Sequence, residues 1–182
     1  SSIKNRLDKT CLNMYYASMV STTASSASRA VRRRFDSPQQ EVFLSLWRTY
    51  DRLRMLEDEL FGRHGLTAQQ YNALRLLRAA HPEKVPTLSL GSRLVSRAPD
   101  ITRLLDRLVE RGWVERHRPA DNRRVVLVGI TPGGVKLLEQ IADEVRDCHG
   151  RQLGHLESQE MKSLIELLRK ARQPHEAQGS EW

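Results

Sequence analysis

The stretch from Thr87 to Gly134 limits what this chain can fold into more than any other, because several local signals fall there in an order that few architectures tolerate. Leu90 and Leu94 mark the apolar side of a short helix. Ser96 then offers a hydroxyl to cap a second helix, and Pro99 suits a first turn whose N–H groups have no intrahelical partner. Ile101, Leu105 and Leu108 recur at four- and three-residue spacing, a stripe that must pack on the first helix through Leu90 and Leu94. This second helix is expected to run to about Arg111 and to stop at Gly112, a glycine in the C′ position. Trp113–Arg118 and Arg124–Ile130 are β-prone runs on either side of Pro119–Arg123, a turn by composition. Thr131 and Pro132 read as the cap and first residue of a further helix.

Helix, turn, helix and two-stranded hairpin in that order is a winged helix-turn-helix, so the expected class is mainly α with a small β wing. The side of the second helix opposite its stripe would face a DNA groove. It carries Ser96, Pro99 and Arg103, with Thr102 and Arg107 at its margins, and Arg97 is a further DNA-binding candidate. Arginine offers a guanine edge two donors at once, and serine or threonine reaches a base or a phosphate. The wing presents Arg116, Arg118, Arg123 and Arg124, whose long planar guanidinium groups suit phosphates or a narrow minor groove. Nine arginines face five acidic residues between Gly91 and Val125, which places half of the chain's net charge of +8 in this reader. Such a balance favours a polyanionic partner.

Here the chain resembles the MarR (multiple antibiotic resistance regulator) family of winged helix-turn-helix transcription factors. The recognition-helix pattern is Ile101-Thr102-Arg103-Leu104-Leu105-Asp106-Arg107-Leu108, followed by Gly112-Trp113-Val114-Glu115-Arg116. The wing signature is Asp121-Asn122-Arg123 and Ile130-Thr131-Pro132-Gly133-Gly134. Ile130 stands where the family has leucine and the interval is one residue longer, so the wing-tip arginine is Arg123 or Arg124. The resemblance spans about Ser37 to Arg172. It implies a homodimer held by terminal helices, bound to an inverted-repeat operator when empty and released by a small, often aromatic ligand. That ligand would fill a cleft between reader and dimer helices, and Trp47, Tyr50 and Tyr71 are the aromatic residues placed near it.

Residues 1–36 are expected to be a flexible arm: Cys11 to Tyr16 lead into a Ser/Thr/Ala-rich run ending at Arg32-Arg33-Arg34, and Met19 is a candidate native start. Ser37-Pro38-Gln39-Gln40 reads as a capping box opening a long helix, with Phe43, Leu46, Tyr50, Leu53 and Leu60 on one stripe. Thr67-Ala68-Gln69-Gln70 is a second capping box, opening a helix through Tyr71, Leu74 and Leu77. Beyond the wing, Val135, Leu138, Ile141, Val145 and Cys148 line one helix face, and Met161, Leu164, Ile165 and Leu168 another. These stripes exceed what one small wing domain can cover. The expected division is therefore a helical dimerisation region at 37–62 and 133–172, a reader at 63–132 and a polar tail at 173–182.

Enzyme motifs are absent from the sequence, and neither a cofactor nor a metal is expected. Cys148-His149 with His155 is the one cluster that hints at zinc, but Cys148 fits an apolar stripe. Cys11 near Tyr15 and Tyr16 is similar to the peroxide-sensing branch of the family, an alternative to ligand control; there the reactive cysteine belongs to the first dimerisation helix, whereas Cys11 lies upstream of it. A second alternative is a winged-helix module whose arginines serve an acidic protein. No run is apolar enough for a membrane span, and a cytoplasmic chain is expected.

Overall fold

The computed structural model describes residues 35–95, 100–120, 122 and 124–176. The chain divides into two units, Ser1–Glu41 and Val42–Trp182. Residues 1–34, expected as an arm, lie outside the described residues.

The described residues form α1 (Pro38–Arg63), α2 (Ala68–Ala80), β1 (Val85–Pro86), α3 (Thr87–Arg93), α4 (Ile101–Glu110), β2 (Val114–His117), β3 (Leu127–Ile130), α5 (Pro132–Gln140), α6 (Ala142–Leu153) and α7 (Ser158–Arg172), with a final 3₁₀ turn at Gln173–His175. Their ends follow local chemistry. At α1, Ser37 Oγ accepts from the Gln40 amide at 3.1 Å, but Gln40 Oε1 accepts from Asp36 N, at 2.6 Å, rather than from Ser37 N. Only half of the expected box forms there. At α2 both halves are present: Gln70 N donates to Thr67 Oγ1 at 3.2 Å and Thr67 N to Gln70 Oε1 at 2.9 Å.

α1 and α4 both end on a glycine at positive φ, Gly65 at 65° and Gly112 at 71°. Beyond α4 the Trp113 amide donates to Leu108 O and the Gly112 amide to Val109 O, and beyond α1 the Leu66 amide donates to Phe61 O and the Gly65 amide to Gly62 O. Each pair closes two otherwise orphaned carbonyls. An L side chain at either glycine would sit in a strained backbone region.

The sheet has three strands rather than the expected two, in the antiparallel order β1-β3-β2. Val85 pairs with Val128 and Pro86 with Leu127, while Val114, Glu115, Arg116 and His117 pair with Ile130, Gly129, Val128 and Leu127. Pro86 is tolerated because β1 is an edge. The strands are also shorter than the β-prone runs. Arg118 and Arg124 fall in the connection, where Asn122 N donates to Pro119 O at 3.3 Å, and Val126 O turns instead to Thr87, accepting from its amide and its hydroxyl at 3.0 Å each.

The core gathers Leu66, Ala73, Leu74, Leu77, Leu90, Leu104, Leu105, Leu108, Val114, Val128 and Ile130 from α2, α3, α4 and the sheet, and continues through Leu138, Ile141, Val145 and Cys148 to Leu60 and Phe61 at the end of α1. Full burial of each such leucine stabilises by roughly 1.5–3 kcal/mol relative to exposure. The stripe predicted from Val135 to Cys148 is present but carried on two helices, with Ile141 the joint between them. Beyond Cys148 the stripe continues to the buried Gln152, whose Nε2 donates to Leu53 O at 2.9 Å and so ties α6 to α1.

Candidate nucleic-acid interface

α4 begins at Ile101, and its cap is Asp100, whose carboxylate accepts from the Arg103 amide at 2.9 Å. Ser96 is therefore not the cap of this helix. Aspartate caps as well as serine does, and its charge also complements the positive end of the helix. Ser96, Arg97 and Pro99 lie outside the described residues as groove candidates, as do Asp121 and Arg123 in the wing, so the choice between Arg123 and Arg124 for the wing tip is not made by the structure.

Leu104, Leu105 and Leu108 of α4 are buried and Ile101 is half-buried, a broader apolar side than the expected three-residue stripe. Thr102, Arg103 and Arg107 are exposed. Arg103 and Arg107 are four residues apart, hence about 40° apart around the axis and one turn along it. No salt bridge among the described residues engages the guanidinium of Arg103, Arg107, Arg118 or Arg124. The short α3 meets α4 at Gly91, where a Cβ would stand 3.1 Å from Ile101 Cδ1. Leu90 and Leu94 are buried, and the Asn72 carboxamide on α2 accepts from the Val95 amide at 3.2 Å where the turn leaves α3.

Arg116 differs from the other arginines. Though exposed, it reaches α4, where Nη1 donates to the Asp106 carboxylate and Nη2 to Thr102 O at 3.0 Å. Strand alternation explains this: Val114 faces the core, so Arg116, two residues on, faces the same side. The other face of the sheet holds a different contact. Lys84 Nζ lies 2.8 Å from Glu115 Oε1, and its side chain crosses Gly129 on the strand between, where a Cβ would stand 3.0 Å from Lys84 Cγ. The hydrogen bond from Lys84 holds the Glu115 carboxyl below the usual range of a glutamate.

Thr131 fixes the wing to α5. Its hydroxyl accepts from the Gly134 amide at 3.1 Å and donates to Gly112 O at 2.6 Å, while its own amide donates to Trp113 O at 3.0 Å. A Cβ on Gly134 would lie 2.4 Å from that same Trp113 oxygen. The Arg111 guanidinium lies 5.5 Å over the Trp113 ring and also against Gly65, so the ends of α1 and α4 meet.

The aromatic candidates are not brought together. Trp47 and Tyr50 are 54% and 62% exposed on α1, with Trp47 edge-on to Phe43 at 6.1 Å. Tyr71 instead stacks on Phe61 at 4.5 Å, and burial pushes its hydroxyl pKa up. Phe61 is three turns along α1 from Tyr50, about 16 Å at 1.5 Å per residue. Cys148 is buried in its stripe, and desolvation raises its thiol pKa, which disfavours the reactive thiolate. Cys11 lies outside the described residues. Among the described residues no group of three or more His, Cys, Asp or Glu is placed to hold a metal ion, and no helix is long and apolar enough to cross a membrane.

This arrangement matches known proteins. The sequence model of the MarR family matches residues 66–126, which contain α2 to the end of the wing connection. The chain is 36% identical over 112 residues to the multiple antibiotic resistance protein MarR of Escherichia coli K12, covering 58% of this chain and 72% of that one. Among solved structures, a MarR transcription factor from Planctomyces limnophilus is 54% identical, with a TM-score of 0.60 over 75% of this chain and 98% of that one. A cysteine-to-serine variant of E. coli MarR in complex with operator DNA is 30% identical, with a TM-score of 0.65 over 72% and 93% of the two chains. The solved structures share the winged-helix fold, and these relatives are transcriptional regulators rather than enzymes. The chain belongs to the MarR family of DNA-binding transcriptional regulators.

Proposed function

We propose that the protein is a homodimeric repressor that binds an inverted-repeat operator and releases it when a small, aromatic ligand binds. The observation that carries the DNA half of this reading is α4, which buries Leu104, Leu105 and Leu108 and leaves Thr102, Arg103 and Arg107 exposed on the rest of its surface. In this reading Arg103 and Arg107 enter the major groove, while Arg118, Arg123 and Arg124 of the wing meet phosphate or the minor groove beside it. Ser96, Arg97, Pro99 and Asp121 complete the proposed contact set.

The dimer half rests on apolar surface left uncovered. Val42, Phe43, Leu46, Trp47 and Tyr50 fall within about 140° of one side of α1, and α7 buries no residue although Met161, Leu164 and Ile165 share one of its faces. We assign both faces to a second copy, with 37–62 and 133–172 forming the dimerisation region and 63–132 the reader. A two-fold axis then sets the two copies of α4 into successive major grooves about 34–36 Å apart. Of the three aromatic candidates, Trp47 and Tyr50 keep their rings available to a ligand, whereas Tyr71 is committed to Phe61, so the effector cleft rests on the first two. A ligand releases DNA only by preferring the reader spacing that does not fit the operator.

The test is a gel-shift titration against DNA flanking the protein's own gene, at two salt concentrations with excess random competitor. Salt-sensitive binding of a dimer that survives competitor supports the reading. Binding no tighter than to competitor would remove the operator from it.

A further inference from the structure

We propose that Arg116 is a positioning residue, which sets the rotation of α4 about its own axis and thereby the aim of Arg103 and Arg107; the proposal rests on the reading of α4 as the groove-entering helix. Its guanidinium holds two points one turn apart on a single side of that helix, the Thr102 carbonyl and the Asp106 carboxylate. Two attachments one turn apart resist roll as well as sliding. The anchor is rigid at its other end, since Arg116 lies on a strand paired to Val128, which is fully buried. At the radius of about 5–6 Å that helix side chains reach, a roll of about 20° displaces a side chain by about 2 Å. Hydrogen bonds to a base edge tolerate only about 0.5 Å. Leucine packing holds α4 along its buried side, and the clamp adds a restraint on the Thr102–Asp106 side.

Asp106 makes sense only in this light. A carboxylate on a helix that approaches DNA opposes binding unless its charge is met, and Arg116 meets it within the protein. The same ion pair therefore removes one repulsion and fixes one geometry, at the cost of taking Arg116 away from phosphate.

The test uses the full chain and two duplexes of equal length, one from the DNA flanking its own gene and one of scrambled sequence. Binding of Arg116→Ala, Arg116→Lys, Asp106→Asn and the double variant Asp106→Asn/Arg116→Ala is followed by fluorescence anisotropy across a salt series. Positioning requires that Arg116→Ala and Asp106→Asn each lower the preference for the first duplex about tenfold or more. The double variant should be no worse than either single change, and Arg116→Lys should stay defective because one ammonium cannot hold both points. The slope of affinity against salt should not change. If Arg116→Ala instead weakens both duplexes equally and lowers that slope by about one, Arg116 is a phosphate contact and the proposal fails. It fails equally if Asp106→Asn tightens both duplexes, the result expected from deleting an anion alone. Amide exchange of α4 in the unbound Arg116→Ala variant gives a readout that needs no DNA. Faster exchange in α4 with α2 unchanged supports the clamp, and unchanged α4 overturns it. A parent chain with no preference between the duplexes would remove the operator reading and leave this exchange comparison to decide.

Discussion

The reader and the terminal helices are written in the same apolar code and meet different fates. Leu74, Leu77, Leu105, Leu108 and Val128 are fully enclosed by their own chain, whereas Phe43, Tyr50 and Ile165, spaced just as regularly, remain 62%, 62% and 66% exposed. Periodicity therefore states that a face is to be covered without stating by what. In the reader, three helices and a sheet close on one another within some sixty residues; in α1 and α7 the chain offers length and apolar surface but no second layer of its own. These are the faces that the proposed dimer would cover.

The contrast is most sharply broken by charging one of the uncovered faces. Ile165→Glu would bury a carboxylate in each half of the proposed dimer, at several kcal/mol per ion, so sedimentation equilibrium should show association weakened at least about a hundredfold. A parent that already sediments as a monomer would end the assignment of that face. Within the reader the same logic predicts a loss of stability instead. Leu105→Ala should lower unfolding free energy by about 2–5 kcal/mol in urea, because α4 is closed on all of its apolar side and collapses poorly around a gap. A loss below 1 kcal/mol would mean that the helix is less tightly held than its burial implies. Smallest is the cap: Asp100→Ala should cost about 1 kcal/mol, and Asp100→Ser should restore most of it. Equal melts for parent and Asp100→Ala would show that the helix start takes no stability from that carboxylate.

Much of this was legible from residue types alone where the signal is local. Thr67 with Gln70, Gly112 and Thr131-Pro132 each act within four residues, and each does in the structure what its position suggests. Asp100 was missed for the converse reason: by residue type Ser96 and Pro99 make an equally good start. β1 was invisible because two residues, one of them proline, carry no period. Its partners Leu127 and Val128 could be known only after the chain returned. The placing of Arg116 on the α4 side of the sheet, in contrast, follows from strand alternation once Val114 is in the core. Among the groove candidates, Thr102, Arg103 and Arg107 could be placed on the exposed side of α4 by counting degrees. What covers Phe43 or Ile165 could not, since a periodic stripe names no partner.

One contact at the root of the wing reaches further than its size. Gly134 touches Trp113 main chain to main chain, with 2.4 Å where a methyl group would have to fit. The Ile130 side chain lies beside the same point, its Cγ1 2.7 Å from where that methyl group would stand. The missing carbon is what lets the start of α5 lie flush against the root of the wing, and any larger residue at 134 would wedge the two apart.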